Sequence, residues 1–369
     1  MSDVLVIGGG LIGLGIAWRT SQAGLSVTVL DEAPGQGASS VGAGLLAPVT
    51  EAHYGEEDLL ELTLASARRY PGFVGELQEA SDLDAGYRQN GTLVVAKDGD
   101  DLAELEELHR HQAKLGLEVE RLPGRECRRL EPMLAPSVRG GLLVEGDHQV
   151  DTLKLLAALQ EACRRVGVAF VSERATRLEG DGRVALSSGE WLEADRVVLA
   201  AGAWSGRIEG VPAEAVPVRP VKGQLLHLMG PADFLERNLR GMVRGSGVYL
   251  VSRGDGRLVV GATVEEMGFD TSITAGAVYT LLRDAYQLLP GIVELRLTAT
   301  LAGLRPGTPD NAPLLGEVAP RLVVATGHYR NGILLTPISA EAIAELLVEG
   351  KTPQLIEPFS PRRFQEAGA

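Results

Sequence analysis

The chain has only two cysteines, Cys127 and Cys163, and they show no metal-ligand spacing. A reduced, cytoplasmic protein is expected in preference to a disulfide-stapled secreted one. Aromatic residues are scarce at 4%, so the core must be built mainly of Leu, Val, Ala and Ile. Positive charge is in the minority, with 35 Lys and Arg against 49 Asp and Glu. A net charge of -14 argues against nucleic acid or an anionic membrane as a partner. No segment approaches the roughly 18 consecutive apolar residues of a membrane span, and no basic stretch precedes an apolar one at the start. Internal repeats and low-complexity linkers are also missing. His53, His109 and His111 form no metal set with carboxylates, their surroundings read as solvated helix or loop, and no metal is expected.

What the chain does have is 45% hydrophobic residues and 46 glycines in 369 residues. That is enough for two domains, or for one large domain with an insertion. Glycine matters most at the start. Val4–Ile7 run into Gly8-Gly9-Gly10-Leu11-Ile12-Gly13, a helical segment follows from Leu14 to Gln22, and a second aliphatic run, Ser26–Leu30, closes on Asp31-Glu32. This is a βαβ unit of the length that holds a dinucleotide. Gly8 allows the tight turn, Gly10 lets backbone N–H groups approach a pyrophosphate, and Gly13 lets helix and strand pack closely. The helix N-terminus adds partial positive charge. Asp31 can accept the hydroxyl protons of an adenosine ribose and would repel a 2′-phosphate, which disfavours NADP. Which dinucleotide binds is not written in the glycines.

Residues 33–48 are small and almost uncharged, a composition suited to backbone lying flat against a large planar ligand. Glu57–Glu79 reads as an amphipathic helix that Pro71 breaks or kinks. Gly86–Ala96 reads as two short strands around the hairpin signal Asn90-Gly91. Asp151 is a good N-cap for a helix Thr152–Val166, followed by a parallel-type strand Val168–Ser172 and a hairpin through Ala175–Leu186. Arg196–Leu199 is a buried strand ending in small residues. From Pro217 the pattern turns antiparallel, with strands Gly223–Met229, Gly247–Ser252 and Arg257–Ala262. A helix Ala275–Leu289, strands Leu295–Leu301 and Arg321–His328, and a last helix Thr336–Glu349 complete the chain. The expected class is α/β (α+β): Rossmann-like pieces at the start, middle and end, with antiparallel or mixed β segments interleaved.

Six separated segments fit one family. They are Gly8–Gly13 with Asp31; Ser39-Ser40 with Ala43-Gly44-Leu45; Val198–Ser205; Pro220–Gln224; Ala302–Thr308; and Gly327–Ile333. In order and spacing the chain resembles the flavin-dependent amine oxidases of the D-amino-acid oxidase superfamily, and most closely the glycine oxidases of thiamine biosynthesis. The likeness spans nearly the whole chain. It implies FAD as the dinucleotide, and a noncovalent one, because neither cysteine falls at the C-terminal position where sarcosine oxidases attach flavin. The expected division is a discontinuous FAD-binding domain of residues 1–85, 145–218 and 302–369, with a substrate-binding domain of 86–144 and 219–301.

The resemblance also implies site residues. Arg305 matches the arginine whose planar fork holds an amino-acid carboxylate. Tyr249 matches a tyrosine that hydrogen-bonds the same carboxylate. Arg330 matches a second arginine beside the flavin, which either touches substrate or anchors its loop. Around the cofactor the expected residues begin with Gly8, Gly10, Leu11, Ile12, Gly13, Asp31 and Glu32. Ser39, Ser40, Ala43, Gly44 and Leu45 follow, then Ala175 at the adenine and Ala201, Gly202 and Trp204. The set ends with Gly303 and Arg305, and with His328, Tyr329, Arg330, Asn331, Gly332 and Ile333, whose helix N-terminus should face the flavin ring. His328 is expected to be structural, since the family's chemistry passes a hydride from Cα to flavin and needs no protein base.

The implied reaction is oxidation of glycine or another small primary or secondary amine (sarcosine, small D-amino acids) by molecular oxygen. It gives an imine or 2-oxo acid, ammonia and hydrogen peroxide, and could feed thiazole synthesis for thiamine. A homo-oligomer is expected. Leu45 and Val264 stand where close glycine oxidases often carry methionine, which leaves the preferred amine open. The alternatives are a D-amino-acid or sarcosine oxidase with another pocket, a dehydrogenase using a non-oxygen acceptor, or a flavin-binding subunit with a structural or relay role.

Overall fold

Alternation within the first strand sets the layering of the fold. In the computed structural model, which describes residues 2–243 and 246–366, Ser2–Ile7 lies between Val27–Leu30 and Trp191–Leu199, both parallel to it. Val4 and Val6 join one apolar cluster, while Leu5 and Ile7 join another on the opposite face. A strand buried on both faces needs apolar residues at consecutive positions, and this run supplies them. Ala169–Val171 extends the sheet beyond Val27–Leu30, and Leu322–Thr326 extends it beyond Trp191–Leu199, again in parallel. Leu314–Ala319 closes that edge antiparallel. The hairpin of Ala175–Leu178 and Arg183–Leu186 attaches to the start of Trp191–Leu199.

Helices cover the face carrying Val4 and Val6. Leu11–Gln22 is buried on most sides and packs against Thr152–Arg165 and Thr336–Glu349, with Glu57–Ser81 lying against the latter two. Asp151 caps Thr152–Arg165 as expected, its carboxylate accepting the N–H of Leu153 at 3.1 Å. Pro71 does not break its helix, which runs from Glu57 to Ser81. The buried face of Leu62, Tyr70, Phe73, Val74 and Leu77 holds the helix together across the missing backbone donor.

The second sheet is almost wholly antiparallel. Its order runs from Arg296–Gly307 through Arg219–Met229, Arg257–Gly261, Ser246–Ser252, Asn238–Val243, Thr92–Ala96 and Gly140–Val144 to Glu120–Pro123. Helix Ala275–Leu288 packs on one face, where Leu226, Leu228, Val248 and Leu250 point. Leu225, Tyr249 and Val251 alternate to the other face, toward residues 41–45. The strand Arg296–Gly307 is unbroken, and pairs with Arg219–Met229 from Gly307 opposite Arg219 to Arg296 opposite Met229.

Asn90-Gly91 forms no hairpin. Tyr87–Arg88 pairs with His148–Val150, which also pairs with Leu45–Leu46, whereas Thr92–Ala96 belongs to the second sheet. Gly91, at a φ of +68°, is where the chain passes from one sheet to the other. Its carbonyl accepts the N–H of Asn238, a partner far away in sequence. Five strands carried too little alternation to be expected: Leu45–Leu46, Glu120–Pro123, His148–Val150, Asn238–Val243 and Leu314–Ala319. His111 is buried against Tyr54, at 3.8 Å between tilted rings, so it is not solvated, although most of its helix Gly99–Lys114 is exposed or half-buried. Among the described residues, no helix is long and apolar enough to cross a membrane, and no cluster of His, Cys, Asp and Glu could hold a metal ion.

Candidate active site

A cavity of about 760 Å³ is lined by residues of both sheets and of the segment 30–45, a size suited to a cofactor or small ligand. One part of it is the turn after the first strand. Gly8 has a φ of +112°, and a Cβ there would come within 2.6 Å of the Ala200 carbonyl carbon. Only glycine fits. Leu11–Gln22 begins at Gly10 with no side-chain cap and no acid in its first turn, so its N-terminal N–H groups face the cavity with their partial positive charge intact. Leu11 N–H alone has a side-chain partner, Ser39 Oγ at 3.1 Å.

Asp31 lines the same part of the cavity, and its carboxylate is already at work. One oxygen accepts Gly9 N–H at 2.6 Å and the other accepts Ala33 N–H at 2.8 Å. Each oxygen keeps a further lone pair for a ribose hydroxyl. Uncapped N–H groups, a shaped glycine turn and an acid at the end of the second strand fit the adenosine and pyrophosphate of a dinucleotide. Glu32, next in sequence to Asp31, lines the cavity, as does Ala175 together with its neighbours Glu173, Arg174 and Thr176.

Segment 38–45 is pinned from behind. Arg253 donates to Ala43 O at 2.8 Å and to Val150 O at 2.9 Å, and Thr152 Oγ1 donates to Gly42 O at 3.1 Å. Burial pushes the Arg253 guanidinium down to about 10. A Cβ at Gly42 would meet Ile333 Cδ1 at 2.6 Å, and one at Gly303 would meet Val41 Cβ at 3.0 Å. The glycines let three elements close around a flat space.

The cavity-facing side of the second sheet supplies the charges. Arg305 Nη1 donates to the carbonyls of Thr263 at 3.1 Å and Lys222 at 3.5 Å. No carboxylate among the described residues lies within 4 Å of it. Tyr249 is nearby: burial pushes its phenol above the ordinary 10.0, and the Arg305 charge opposes the rise. Arg330 is paired instead, with Glu56 directly and with Glu51 at 3.7 Å, while Glu51 also binds Arg240. Burial pushes the Glu51 carboxyl up, but Arg240 and Arg330 together overcome it and hold it below the ordinary carboxylate value. His328 is buried, its Nε2 lies 3.0 Å from Ser339 Oγ, and burial takes it down to about 3.

Most of the residues expected at the site therefore line one cavity: Gly8, Gly10, Leu11, Ile12, Asp31, Glu32, Ser39, Ala43, Gly44, Leu45, Ala175, Ala201, Gly202, Trp204, Tyr249, Gly303, Arg305, His328, Tyr329, Arg330, Gly332 and Ile333. Gly13, Ser40 and Asn331 do not. A Cβ on Gly13 would collide with the Gly8 carbonyl oxygen, so this glycine serves helix–strand packing. Ser40 Oγ turns back to Gly37 O at 2.9 Å, and buried Asn331 holds the local turn through His328 O. Val264 is exposed and outside the cavity. Sequence reasoning missed Glu51 and Arg207. Residues 33–50 carry no charge and Glu51 is the first after them, a signal that could have marked it. Arg207, which lies 5.0 Å from the Phe269 ring, carries no such mark.

Residues 3–346 match the family described as FAD dependent oxidoreductase. The chain is 37% identical over 371 residues to the bifunctional protein ThiO/ThiG of Synechocystis sp., covering 98% of this chain but 54%, about half, of that relative. It is 33% identical over 371 residues to a glycine oxidase of Geobacillus kaustophilus, covering 98% of this chain and 97% of the relative. The crystal structure of glycine oxidase from Geobacillus kaustophilus superimposes with a TM-score of 0.92 at 32% identity, over 98% of each chain.

Proposed function

The chain belongs to the FAD dependent oxidoreductase family, and from that premise we propose that it oxidises glycine or another small primary or secondary amine bearing a carboxylate. FAD, bound noncovalently, would be held by the Gly8–Gly13 turn, Asp31, segment 38–45 and the backbone of 327–333. It supplies a two-electron acceptor that oxygen can regenerate. Neither cysteine lines the cavity, and both are buried, which supports a noncovalent cofactor. We also assign the first sheet chiefly to the cofactor and the second to substrate.

The observation that carries the reading is Arg305. A guanidinium facing a cavity with only carbonyl partners is suited to a carboxylate brought in by substrate. Tyr249 stays protonated and can donate a hydrogen bond to that carboxylate. Three buried groups of the lining are poorly suited to take a proton near neutral pH: paired arginines favour the ionised form of Glu51, burial favours the protonated form of Tyr249, and burial keeps His328 neutral. In this reading the amine arrives unprotonated from solution. Glycine oxidase among the relatives supports a small substrate, and ThiO/ThiG supports a place in thiamine thiazole synthesis. Replacing Arg305 by Ala should raise the apparent KM for amino acids by roughly a hundredfold or more at unchanged FAD content. An unchanged KM would remove its assigned role.

A further inference from the structure

The segment Pro220–Gln224 contains a lysine, Lys222, with no exposed surface. Lys222 Nζ lies 2.9 Å from Asp270 and 3.9 Å from Glu265. Its backbone pairs twice with Glu265, at 2.9 and 3.0 Å. Gln224 N–H donates to Thr263 Oγ1 at 2.8 Å. The Gln224 amide grips both ends of the segment, accepting Thr274 N–H at 2.9 Å and donating to Glu265 at 2.8 Å. Residues 263–274 contain no helix, and their only strand pairing is the bridge from Lys222 to Glu265. These bonds, with the Arg219–Glu266 ion pair and the packing of Phe269 against Trp204 and Arg207, set their path. That path matters because the Thr263 carbonyl accepts Arg305 Nη1, beside the carbonyl of Lys222 itself.

We infer that Lys222 and Asp270 are positioning residues for the substrate carboxylate: their ion pair pins segment 263–274, whose Thr263 carbonyl orients the Arg305 fork. The inference rests on Arg305 as the carboxylate anchor. Two carbonyls occupy Nη1, which leaves the other N–H groups of the guanidinium for a ligand, and a guanidinium bound bidentately is sensitive to its angle. A buried lysine is costly to the fold unless paired, and here its partner belongs to the segment that touches Arg305.

The test uses the FAD-loaded protein and acetate, a carboxylate without an amine, followed by its perturbation of the flavin absorbance. Asp270 is partly exposed, so Asp270→Ala should fold even where Lys222→Met does not. In Asp270→Ala the acetate Kd and the glycine KM should each rise about tenfold. FAD affinity and the limiting rate of flavin reduction should stay within about threefold of the parent, and Asp270→Glu should recover most of the loss. Unchanged acetate Kd and glycine KM in Asp270→Ala overturn the inference, as does a loss of FAD affinity that accounts for the whole effect. If the parent protein neither responds to acetate nor is reduced by any amino acid, the functional reading itself fails.

Discussion

The guanidinium of Arg305 lies on Gly223, and no side chain larger than hydrogen fits beneath it. A Cβ at residue 223 would come within 2.5 Å of Arg305 Cζ. Register explains the contact: Arg305 is opposite Val221 on the neighbouring strand, and Gly223 is two residues along on the same face. Tyr249 is placed in the same way over Gly261, its partner in register.

Gly223→Ala should therefore weaken substrate carboxylate binding. Residue 223 does not need a left-handed φ, so the backbone accepts alanine and the displaced group is Arg305. The glycine KM should rise about tenfold or more, with FAD content unchanged. Steady-state kinetics with measured flavin occupancy checks this, and parental KM would show that Arg305 does not need its present seat.

Arg330 should matter more for structure than for substrate. Its charge is taken up by Glu56 and Glu51, unlike that of Arg305. Arg330→Met should destabilise the fold by roughly 1–3 kcal/mol, less than breaking a fully buried pair. The glycine KM should rise only about threefold, against the far larger loss expected from an Arg305 variant. Thermal unfolding and kinetics on the same preparations separate the two effects; a KM loss matching that of Arg305→Ala would make Arg330 a substrate ligand.

His328 should act on stability and not on catalysis. Burial lowers it from the ordinary 6.5 to about 3. Between these values the unfolded chain binds a proton that the native chain does not. Its contribution is thus full above about pH 6.5 and is lost as the pH falls toward 3. At pH 5 the loss is on the order of 2 kcal/mol. His328→Asn should flatten the fall of Tm between pH 7 and pH 5 while leaving the acidic limb of kcat/KM in place, because that limb belongs to the substrate amine. A shifted limb would restore a base role for His328.

The sequence was most readable where side chains obey short-range rules. Gly8, Gly10 and Gly13 marked the tight turn after the first strand, and Asp151 marked a helix start, because tight turns and caps are local requirements. Asn90-Gly91 misled, because the strand before it pairs near residue 150 and the strand after it near residues 140 and 240, which no local signal encodes. The pairing of Arg330 with Glu51 and Glu56, and the hold of Lys222 on Asp270, join residues distant in the chain and became visible only in the fold. Arg305 lies between these cases. Its motif suggested a carboxylate anchor, but its want of an acidic partner is a fact of packing.

The central claim is that this cavity binds FAD and reduces it with a small amino acid. The most direct test is an anaerobic absorbance titration of the purified protein with glycine, sarcosine, D-alanine and D-proline, followed by admission of air. A flavin spectrum that bleaches with at least one of these amines, and returns in air with formation of peroxide, is the predicted result. A bound flavin that none of them reduces would contradict the claim.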